Sequence, residues 1–402
     1  MNRLLFVLLY LLVAALTTEH AAVAQTANKQ LPTAVVHLRQ GLPKNLATVF
    51  LAETSGGKGR VFDINVPGLT PHDIVAQRET ASARTWFIAR LQNPSLLGST
   101  LKLPTTSHEV DRVVSIRVAE GGLQVLDAGR PVLFYVTTPQ SHQGNFIRNG
   151  FVHPLRGLAG EELTQVFPVD HRHHHGVFWA WHQLWVGDQR AGDPWVTDDF
   201  LAELKEARVI DQGPVFAAMQ SRLHWTSPKI VDGNGKPRAI IEETTTIRVF
   251  HATETTQLVD FEIQLKPLLD DVRLGGAEND RGYSGFTVRV PPPREMKILT
   301  ESDALAGDAV GTQSRWADVT GKFSDGEQLT GIAILSHRSL PEFPPRWLLR
   351  FYGMQNVVYP GRNPIRLSVK SPLVLRHRLM IHRGDAKEAR VADQQRVYEL
   401  LF

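Results

Sequence analysis

The sequence contains no cysteine in 402 residues. This absence excludes disulfide bonds, cysteine nucleophiles, cysteine-ligated zinc and iron–sulfur clusters. Because no covalent cross-link holds the chain, a large hydrophobic core must stabilise the fold.

An excess of charge is lacking as well. The 44 Lys and Arg nearly balance the 41 Asp and Glu, giving a net charge of +3, and no block of basic residues occurs. Nucleic-acid binding needs a basic patch or stripe. We therefore expect no nucleic-acid partner.

Long apolar runs are absent beyond the N-terminus. Residues 4–16 are apolar and uncharged, Arg3 precedes them, and Ala22-Val23-Ala24 provides an A-x-A cleavage site. The run is shorter than the ~20 residues of a spanning helix. The pattern predicts a cleaved signal peptide over residues 1–24. We expect a periplasmic or extracellular protein with no transmembrane segment after signal removal.

Helical periodicity is rare, whereas a period of two recurs along the chain. Val259, Phe261, Ile263 and Leu265 alternate with Leu258, Asp260, Glu262 and Gln264, and residues 232–237 form a turn cluster between two β-rich runs. Such patterns predict antiparallel strands and hairpins. Only residues 198–206 suggest a short helix. The predicted fold class is all-β.

Two β units are expected. Residues 25–108 contain short strands bounded by Gly, Pro, Asn and Ser, which predicts a small N-terminal β-domain. Residues 109–402 contain more strands than an immunoglobulin-sized sandwich holds. They predict a large antiparallel β-sandwich that carries a histidine-rich motif.

The histidine-rich motif is the strongest chemical signal. Residues 153–182 hold six of the sixteen histidines, and residues 179–195 hold four of the eight tryptophans. Imidazole serves as a general acid or base near neutral pH, and indole rings stack on the C–H faces of sugars. In an extended strand, His171, His173 and His175 would share one face, and His174 would point to the other.

Three interpretations of the motif stay open. The first is an acid–base site with His173, His174, Asp170 and Glu278 as catalytic residues, where the glycine-rich loop at 275–282 brings Glu278 to the histidines. The second is a metal site. The third is a set of structural histidines satisfied by backbone carbonyls. Same-face strand positions are too far apart to share a zinc ion without a bend, so we expect no metal and no other cofactor.

A second set of residues is expected to bind the substrate. These residues flank the histidines, carry hydrogen-bonding groups or flat aromatic faces, or share the glycine-rich loop with Glu278: Arg148, His153, His171, Trp179, Trp181, His182 and Arg281.

Several blocks of the chain, in order, resemble one known family. They are residues 146–155, 170–176, 282–289, 316–318, 331–335 and 375–382. This set is similar to the PmoA-like family of exported bacterial proteins of unknown function. The family's D-H-P-H-H-R-G appears here with Arg172 in place of Pro and His175 in place of Arg. Position 175 therefore lacks the cation of the family pattern.

The resemblance implies a supersandwich similar to galactose mutarotase, a fold that often binds carbohydrate. It does not imply methane oxidation, because the membrane monooxygenase subunit of that name spans the bilayer several times. We expect an exported carbohydrate-active enzyme with histidine and carboxylate acid–base chemistry for hydrolysis, elimination or epimerisation of a sugar or glycoside. The alternatives are a non-catalytic carbohydrate-binding or envelope protein and a histidine-ligated metalloenzyme.

Overall fold

The structure, a computed structural model, describes residues 33–55, 61–71, 74–82, 84–107, 111–323 and 325–401. The predicted signal peptide at residues 1–24 and the predicted domain boundary at residue 108 lie outside these ranges. Within them, no helix is long and apolar enough to cross a membrane.

Seven strands form the first sheet, and a short 3-10 helix at Pro94–Leu96 precedes the last of them. The strands are β1 (Thr33–Leu38), β2 (Ala47–Ser55), β3 (Val61–Ile64), β4 (Leu69–Thr70), β5 (Ile74–Arg78), β6 (Arg84–Leu91) and β7 (Ser99–Ser107). Strand β2 pairs with both β1 and β6, so that six of the strands close into a ring. Phe62, Phe87 and other buried apolar side chains form its core.

The next nine strands lead into and around the histidine-rich motif. They are β8 (Val114–Ala119), β9 (Gly122–Asp127), β10 (Arg130–Val136), β11 (Gln140–His142), β12 (Asn145–Arg148), β13 (Phe151–Leu155), β14 (Val177–Ala180), β15 (Gln183–Val186) and β16 (Gln189–Gly192).

Fourteen further strands and one helix complete the described chain. They are β17 (Leu201–Asp211), β18 (Phe216–Val231), β19 (Pro237–Phe250), β20 (Thr256–Pro267), β21 (Val272–Gly275), β22 (Gly285–Arg289), β23 (Arg294–Thr300), β24 (Ala309–Gln313), β25 (Trp316–Lys322), β26 (Thr330–Ser336), β27 (Arg346–Arg350), β28 (Met354–Val358), β29 (Ile365–Arg366), β30 (Leu373–Arg383) and α1 (Val391–Leu400).

Two large antiparallel sheets form a sandwich. The nine-stranded sheet has the order β24-β27-β28-β22-β14-β13-β10-β9-β8, and the eight-stranded sheet has the order β17-β18-β19-β20-β30-β26-β25-β23. Their facing side chains share one hydrophobic core, where Trp179 of the first sheet lies 6.3 Å from Phe261 of the second, centroid to centroid. The predicted all-β antiparallel fold is confirmed.

The alternation predicted for β20 is present, since Val259, Phe261, Ile263 and Leu265 all lie in this core. The predicted helix at 198–206 is wrong, because residues 201–211 form β17 at the edge of the eight-stranded sheet. Most side chains of β17 are exposed. Its polar residues therefore imitate the pattern of a surface helix, while sheet pairing with β18 decides the conformation.

Candidate functional site

The histidine-rich motif forms a turn, not the strand that the sequence predicts. The His174 amide donates to the His171 carbonyl at 3.0 Å, and the His171 amide donates to the Pro168 carbonyl at 3.1 Å. The expected alternation of faces is therefore wrong. The turn instead stacks the rings of His171 and His174 at 4.8 Å and sets the ring of His173 edge-on to His174 at 4.6 Å.

Sheet register brings this turn to two other chain segments. Val177 of β14 pairs with Val288 of β22, and Arg289 pairs with Met354 of β28. The turn before β14, the end of β22 and the loop before β28 therefore lie next to one another, at the ends of three adjacent strands of the nine-stranded sheet. As a result, Tyr352 stacks on His171 at 4.5 Å.

The alternation of side chains along β14 places Trp179 and Trp181 on the opposite face of the sheet from the histidine turn. Val177, Trp179 and Trp181 point into the sandwich core, whereas Phe178 and Ala180 pack on the outer face of the sheet. Trp179 and Trp181 are buried, and Trp181 Nε1 donates to the Tyr359 carbonyl at 2.9 Å. The prediction that they stack on a substrate is therefore wrong, because both rings pack in the sandwich core.

A different tryptophan lies on the outer face. Trp195 follows β16 and packs edge-on against Phe178 at 5.5 Å and His174 at 6.0 Å, and it stacks on His182 at 5.3 Å. Tyr283 closes against both His182 and Trp195 at 4.8 and 5.0 Å. We use the name histidine site for the surroundings of these rings: His171, His173, His174, His182, Arg148, Trp195, Tyr283 and Tyr352.

Two histidines of the site are each held by a carboxylate. His182 Nδ1 donates to Asp193 Oδ2 at 2.8 Å, and Asp193 Oδ1 accepts from the backbone amides of Trp195 and Val196 at 3.0 and 3.2 Å. Such a carboxylate fixes the proton on Nδ1 and leaves a lone pair on Nε2. His182 Nε2 is buried and has no hydrogen-bond partner within the described residues.

In the second carboxylate–histidine pair, Asp170 Oδ2 accepts a hydrogen bond from His171 Nδ1 at 2.9 Å. Arg289 also donates to both oxygens of Asp170, at 2.7 and 2.8 Å. Partial burial raises the pKa of Asp170, but the hydrogen bonds from His171 and Arg289 outweigh it and lower the pKa below its usual value. Asp170 is therefore a charged anchor for two side chains and not a proton donor.

The other histidines of the turn are neutral near pH 7. Burial, together with the neighbouring His171, His182 and Arg148, lowers the pKa of His173 to about 4. Burial also lowers the pKa values of His174 and His175 well below the usual value. His175 packs edge-on between Phe151 and Phe167 at 5.0 and 4.8 Å, so it is a structural residue of the turn.

Arg148 lies on the floor of the site with 8% of its surface exposed. It donates to the carbonyls of Pro194 and Trp195 and lies over the ring of Phe178 at 5.4 Å. Burial lowers its pKa to about 10, which leaves it charged at neutral pH. The structure thus brings together six of the predicted site residues: Asp170, His171, His173, His174, His182 and Arg148.

Three predicted residues lie apart from this group. His153 donates to or accepts from Thr164 at 3.1 Å and contacts none of the clustered rings. Glu278 is exposed and pairs with Arg190 at 2.5 Å, so its predicted role as a catalytic partner of the histidines is wrong for this conformation. Arg281 is exposed at the rim, where its charge lowers the pKa of Tyr283 against the larger effect of burial.

Sequence reasoning missed Asp193, Trp195, Tyr283, Arg289 and Tyr352. Tyr283 and Arg289 lie inside a block that carries the family resemblance, but neither was given a role. Asp193 and Trp195 flank a proline directly after a strand, a turn signal close to the histidines that could have pointed to them. No sequence pattern around Tyr352 indicates a role, because its position beside His171 depends on the order of strands in the sheet.

Within the described ranges, no three His, Asp or Glu side chains are placed to share a metal ion. The expectation of a metal-free protein stays a prediction, which elemental analysis of untagged protein would test.

Two of the solved structures that resemble this chain come from Enterococcus faecalis. One is a protein of glycosyl hydrolase family 38 from Enterococcus faecalis, with 10% identity, a TM-score of 0.42, and coverage of 92% of this chain and 47% of that one. The other is an alpha-mannosidase from Enterococcus faecalis V583, with 10% identity, a TM-score of 0.40, and coverage of 91% and 45%. The chain spans about half the length of each. No curated protein sequence matches it significantly.

One family of sequences does match. Residues 122–396 match DUF6807, a family of unknown function, and this range contains every residue of the histidine site. The expected membership in a family of unknown function is confirmed, while the PmoA-like name stays a prediction. This chain is a member of the DUF6807 family.

Proposed function

We propose that this protein is an exported enzyme that binds a carbohydrate at the histidine site and moves a proton with His182, which Asp193 orients. The observation that carries the proposal is the state of His182. Its Nδ1 is held by a carboxylate at 2.8 Å, while its Nε2 is buried without a partner in the described chain. A histidine so held is arranged as a general base.

The unpaired groups around His182 favour a polyhydroxylated ligand. Trp195 Nε1, Arg148 Nε and His174 Nδ1 are also buried without a hydrogen-bond partner in the described residues. Leaving a buried polar group unpaired costs about 1–3 kcal/mol each. Sugar hydroxyls both donate and accept, so one saccharide would satisfy several of these atoms, and the half-buried rings of Tyr352 and Phe146 would contact its apolar faces.

The carboxylates of the site bear on the type of reaction. Glycosidases usually act with two free carboxyl groups. Here Asp170 is bonded to Arg289 and His171, and Asp193 is bonded to His182 and two backbone amides. Proton transfer through imidazole is therefore favoured over nucleophilic attack by a carboxylate, which points to elimination or epimerisation rather than hydrolysis.

A proton donor lies next to the base. The ring of Tyr283 is 4.8 Å from that of His182, centroid to centroid, and burial raises the pKa of Tyr283. Tyr283 therefore stays a phenol at neutral pH and could return a proton to the substrate. The signal peptide that the sequence predicts over residues 1–24 supports action outside the cytoplasm, in the periplasm or the medium.

The test is turnover of a panel of glycans and glycosides by protein that begins at Gln25. We expect His182→Gln and Asp193→Asn to lower kcat by roughly 10²–10⁴-fold, the usual contribution of general acid–base catalysis. His37→Ala removes an exposed histidine on β1 and should leave kcat unchanged. Circular dichroism of each variant would establish that it folds.

Two results would contradict the proposal. Turnover that survives His182→Gln would exclude His182 as the base. Glycan binding without turnover by the wild type would identify a non-catalytic carbohydrate-binding protein, the alternative raised by the sequence.

A further inference from the structure

We infer that the saccharide bound at the histidine site carries a carboxylate group, and that Arg148 and Arg281 are its guanidinium partners. This inference rests on the proposed function and names the class of its substrate as a uronic-acid-containing saccharide.

Arg148 is a buried cation without a contacting anion. Its NH2 group donates only to the backbone carbonyls of Pro194 and Trp195, and its Nε has no partner. No described carboxylate lies within ion-pair distance of it. A buried charge without a counter-ion is costly unless something compensates it.

Glu243 is the acid that could compensate Arg148 from within the protein. It lines the same small internal cavity as Arg148 but lies beyond ion-pair distance. Trp225 and Thr245 donate to it, both at 2.9 Å. Burial raises the pKa of Glu243, which favours its uncharged form. Glu243 and Asp193 raise the pKa of Arg148 only from beyond ion-pair distance, so no described carboxylate contacts the guanidinium.

The other acids near the site already have partners. Asp170 binds Arg289, Asp193 binds His182, and Glu278 binds Arg190. Arg281, by contrast, has no ion pair among the described residues, and it lies two residues before Tyr283, whose ring packs on His182. Unpaired guanidinium groups therefore stand at the floor and at the rim of the site.

A carboxylate suits both the guanidinium groups and the proposed chemistry. Guanidinium matches a planar carboxylate with two parallel hydrogen bonds. In an elimination, His182 Nε2 removes the proton from the carbon that bears the carboxylate, and the freed electron pair forms a C=C bond. The C=C bond forms as the C–O bond from the next carbon to the neighbouring sugar breaks, and the departing oxygen takes a proton from Tyr283. Arginine beside the carboxylate stabilises the negative charge that develops on it.

Calorimetric titration with three matched ligands tests the inference: a uronic-acid oligosaccharide, the same oligosaccharide with its carboxyl groups reduced to alcohols, and a sulfated neutral oligosaccharide. We expect the wild type to bind the uronide at least roughly tenfold more tightly than the reduced form, because charged hydrogen bonds are lost. Arg281→Gln should remove most of this preference. Arg117→Gln removes an equal charge from an exposed position on β8 and should keep it.

Arg148→Lys keeps the charge but loses the paired N–H groups of the guanidinium, and we expect it to weaken uronide binding more than binding of the reduced ligand. Equal binding of the acid and its reduced form would overturn the inference and leave the proposed function intact. Tighter binding of the sulfated ligand would overturn the choice of carboxylate. If none of the three binds, the inference fails, and turnover on the wider glycan panel then decides separately whether the proposed function stands.

Discussion

The buried pair of His382 and Asp318 links individual residues to the stability of the sandwich. His382 on β30 and Asp318 on β25 are both fully buried, and His382 Nε2 contacts Asp318 Oδ1 at 3.1 Å. Burial lowers the pKa of His382, but the charge and hydrogen bond of Asp318 outweigh it, so its pKa is raised overall. Because the folded-state pKa exceeds the unfolded value, the pair stabilises the protein most below about pH 6.5. That contribution is lost as pH rises through the folded-state pKa.

We therefore expect Asp318→Asn to cost about 3 kcal/mol of unfolding free energy near pH 6, the scale for breaking a buried pair. The cost should shrink as pH rises through the folded-state pKa, where the wild-type histidine loses its proton. Urea unfolding at a series of pH values measures it. Asp188→Asn, at an exposed ion pair, is the control and should show a small cost that does not change with pH. A cost for Asp318→Asn that is equally independent of pH would mean that His382 is neutral in the folded protein.

Sequence composition located the histidine site, but it did not orient its side chains. The density of imidazole and indole is a property of composition, so His171 to His182 stand out in the sequence. In a strand, a shift of one residue moves a side chain to the other face of the sheet, so the orientation of each ring depends on its exact position. The histidine motif was also predicted to be a strand, whereas it forms a turn. The sequence analysis therefore assigned substrate binding to Trp179 and Trp181, which pack in the core. Trp195, on the opposite face of the sheet, is the tryptophan that packs against the histidines.

At the scale of elements, one glycine fixes where the histidine turn meets the sheet. Gly176 has φ 60°, and a Cβ atom there would lie 2.2 Å from the Val152 carbonyl oxygen. Its amide donates to Gln165 at 2.9 Å, and its carbonyl accepts from the Arg289 amide at 2.8 Å. The turn is therefore held against both β13 and the end of β22 at a point where no side chain fits.

We expect Gly176→Ala to cost about 1–3 kcal/mol from backbone strain and more from the clash with β13, and to weaken ligand binding because the histidines shift. Gly235→Ala is a matched control, since Gly235 has φ 78° in the turn between β18 and β19 but no atom within 4 Å of a built Cβ. Chemical unfolding and ligand titration of both variants measure the two effects separately, because Gly235→Ala introduces backbone strain alone and Gly176→Ala introduces both the strain and the clash with Val152. Equal losses in the two variants would show that the contact with Val152 does not hold the turn.

Strand patterns were predicted well where one face is buried and poorly where neither face is. Strand β20 alternates as its sequence indicates, because its inner positions pack in the core. Strand β17 lies at a sheet edge with most of its side chains exposed, so its sequence fits a surface helix equally well. Helix α1 was not predicted, because the long-range contacts that it makes leave only a short apolar pattern in the sequence.

At the scale of the whole molecule, the histidine site depends on contacts between distant segments. Arg148, His174, Trp195, Tyr283 and Tyr352 come from five separate loops or strand ends, and the register of three strands brings them together. No local pattern encodes that register. The sequence could therefore indicate the chemistry of the motif but not its partners.

The C-terminal helix couples the ring of the seven-stranded sheet to the sandwich. Val397 packs in the core of the ring, while Val391 and Tyr398 pack in a cluster that joins the ring to the outer face of the eight-stranded sheet. Gln394 accepts from Thr48 of β2 at 2.8 Å, and Gln395 donates to the Ser336 carbonyl of β26 at 2.9 Å. Both β units therefore hold the same helix, and we expect them to unfold together.

The last prediction tests this coupling with Val397→Ala. Truncating a fully buried valine removes apolar contacts and leaves a cavity, which should cost about 1–3 kcal/mol. Because α1 binds both units, we expect one unfolding transition, shifted to lower urea when followed by tryptophan fluorescence and by circular dichroism. Arg396→Ala, on the exposed side of the same helix, should leave the midpoint nearly unchanged. If Val397→Ala instead splits the curve into two transitions, with the sandwich as stable as in the wild type, the ring and the sandwich are independent folding units and α1 does not link them.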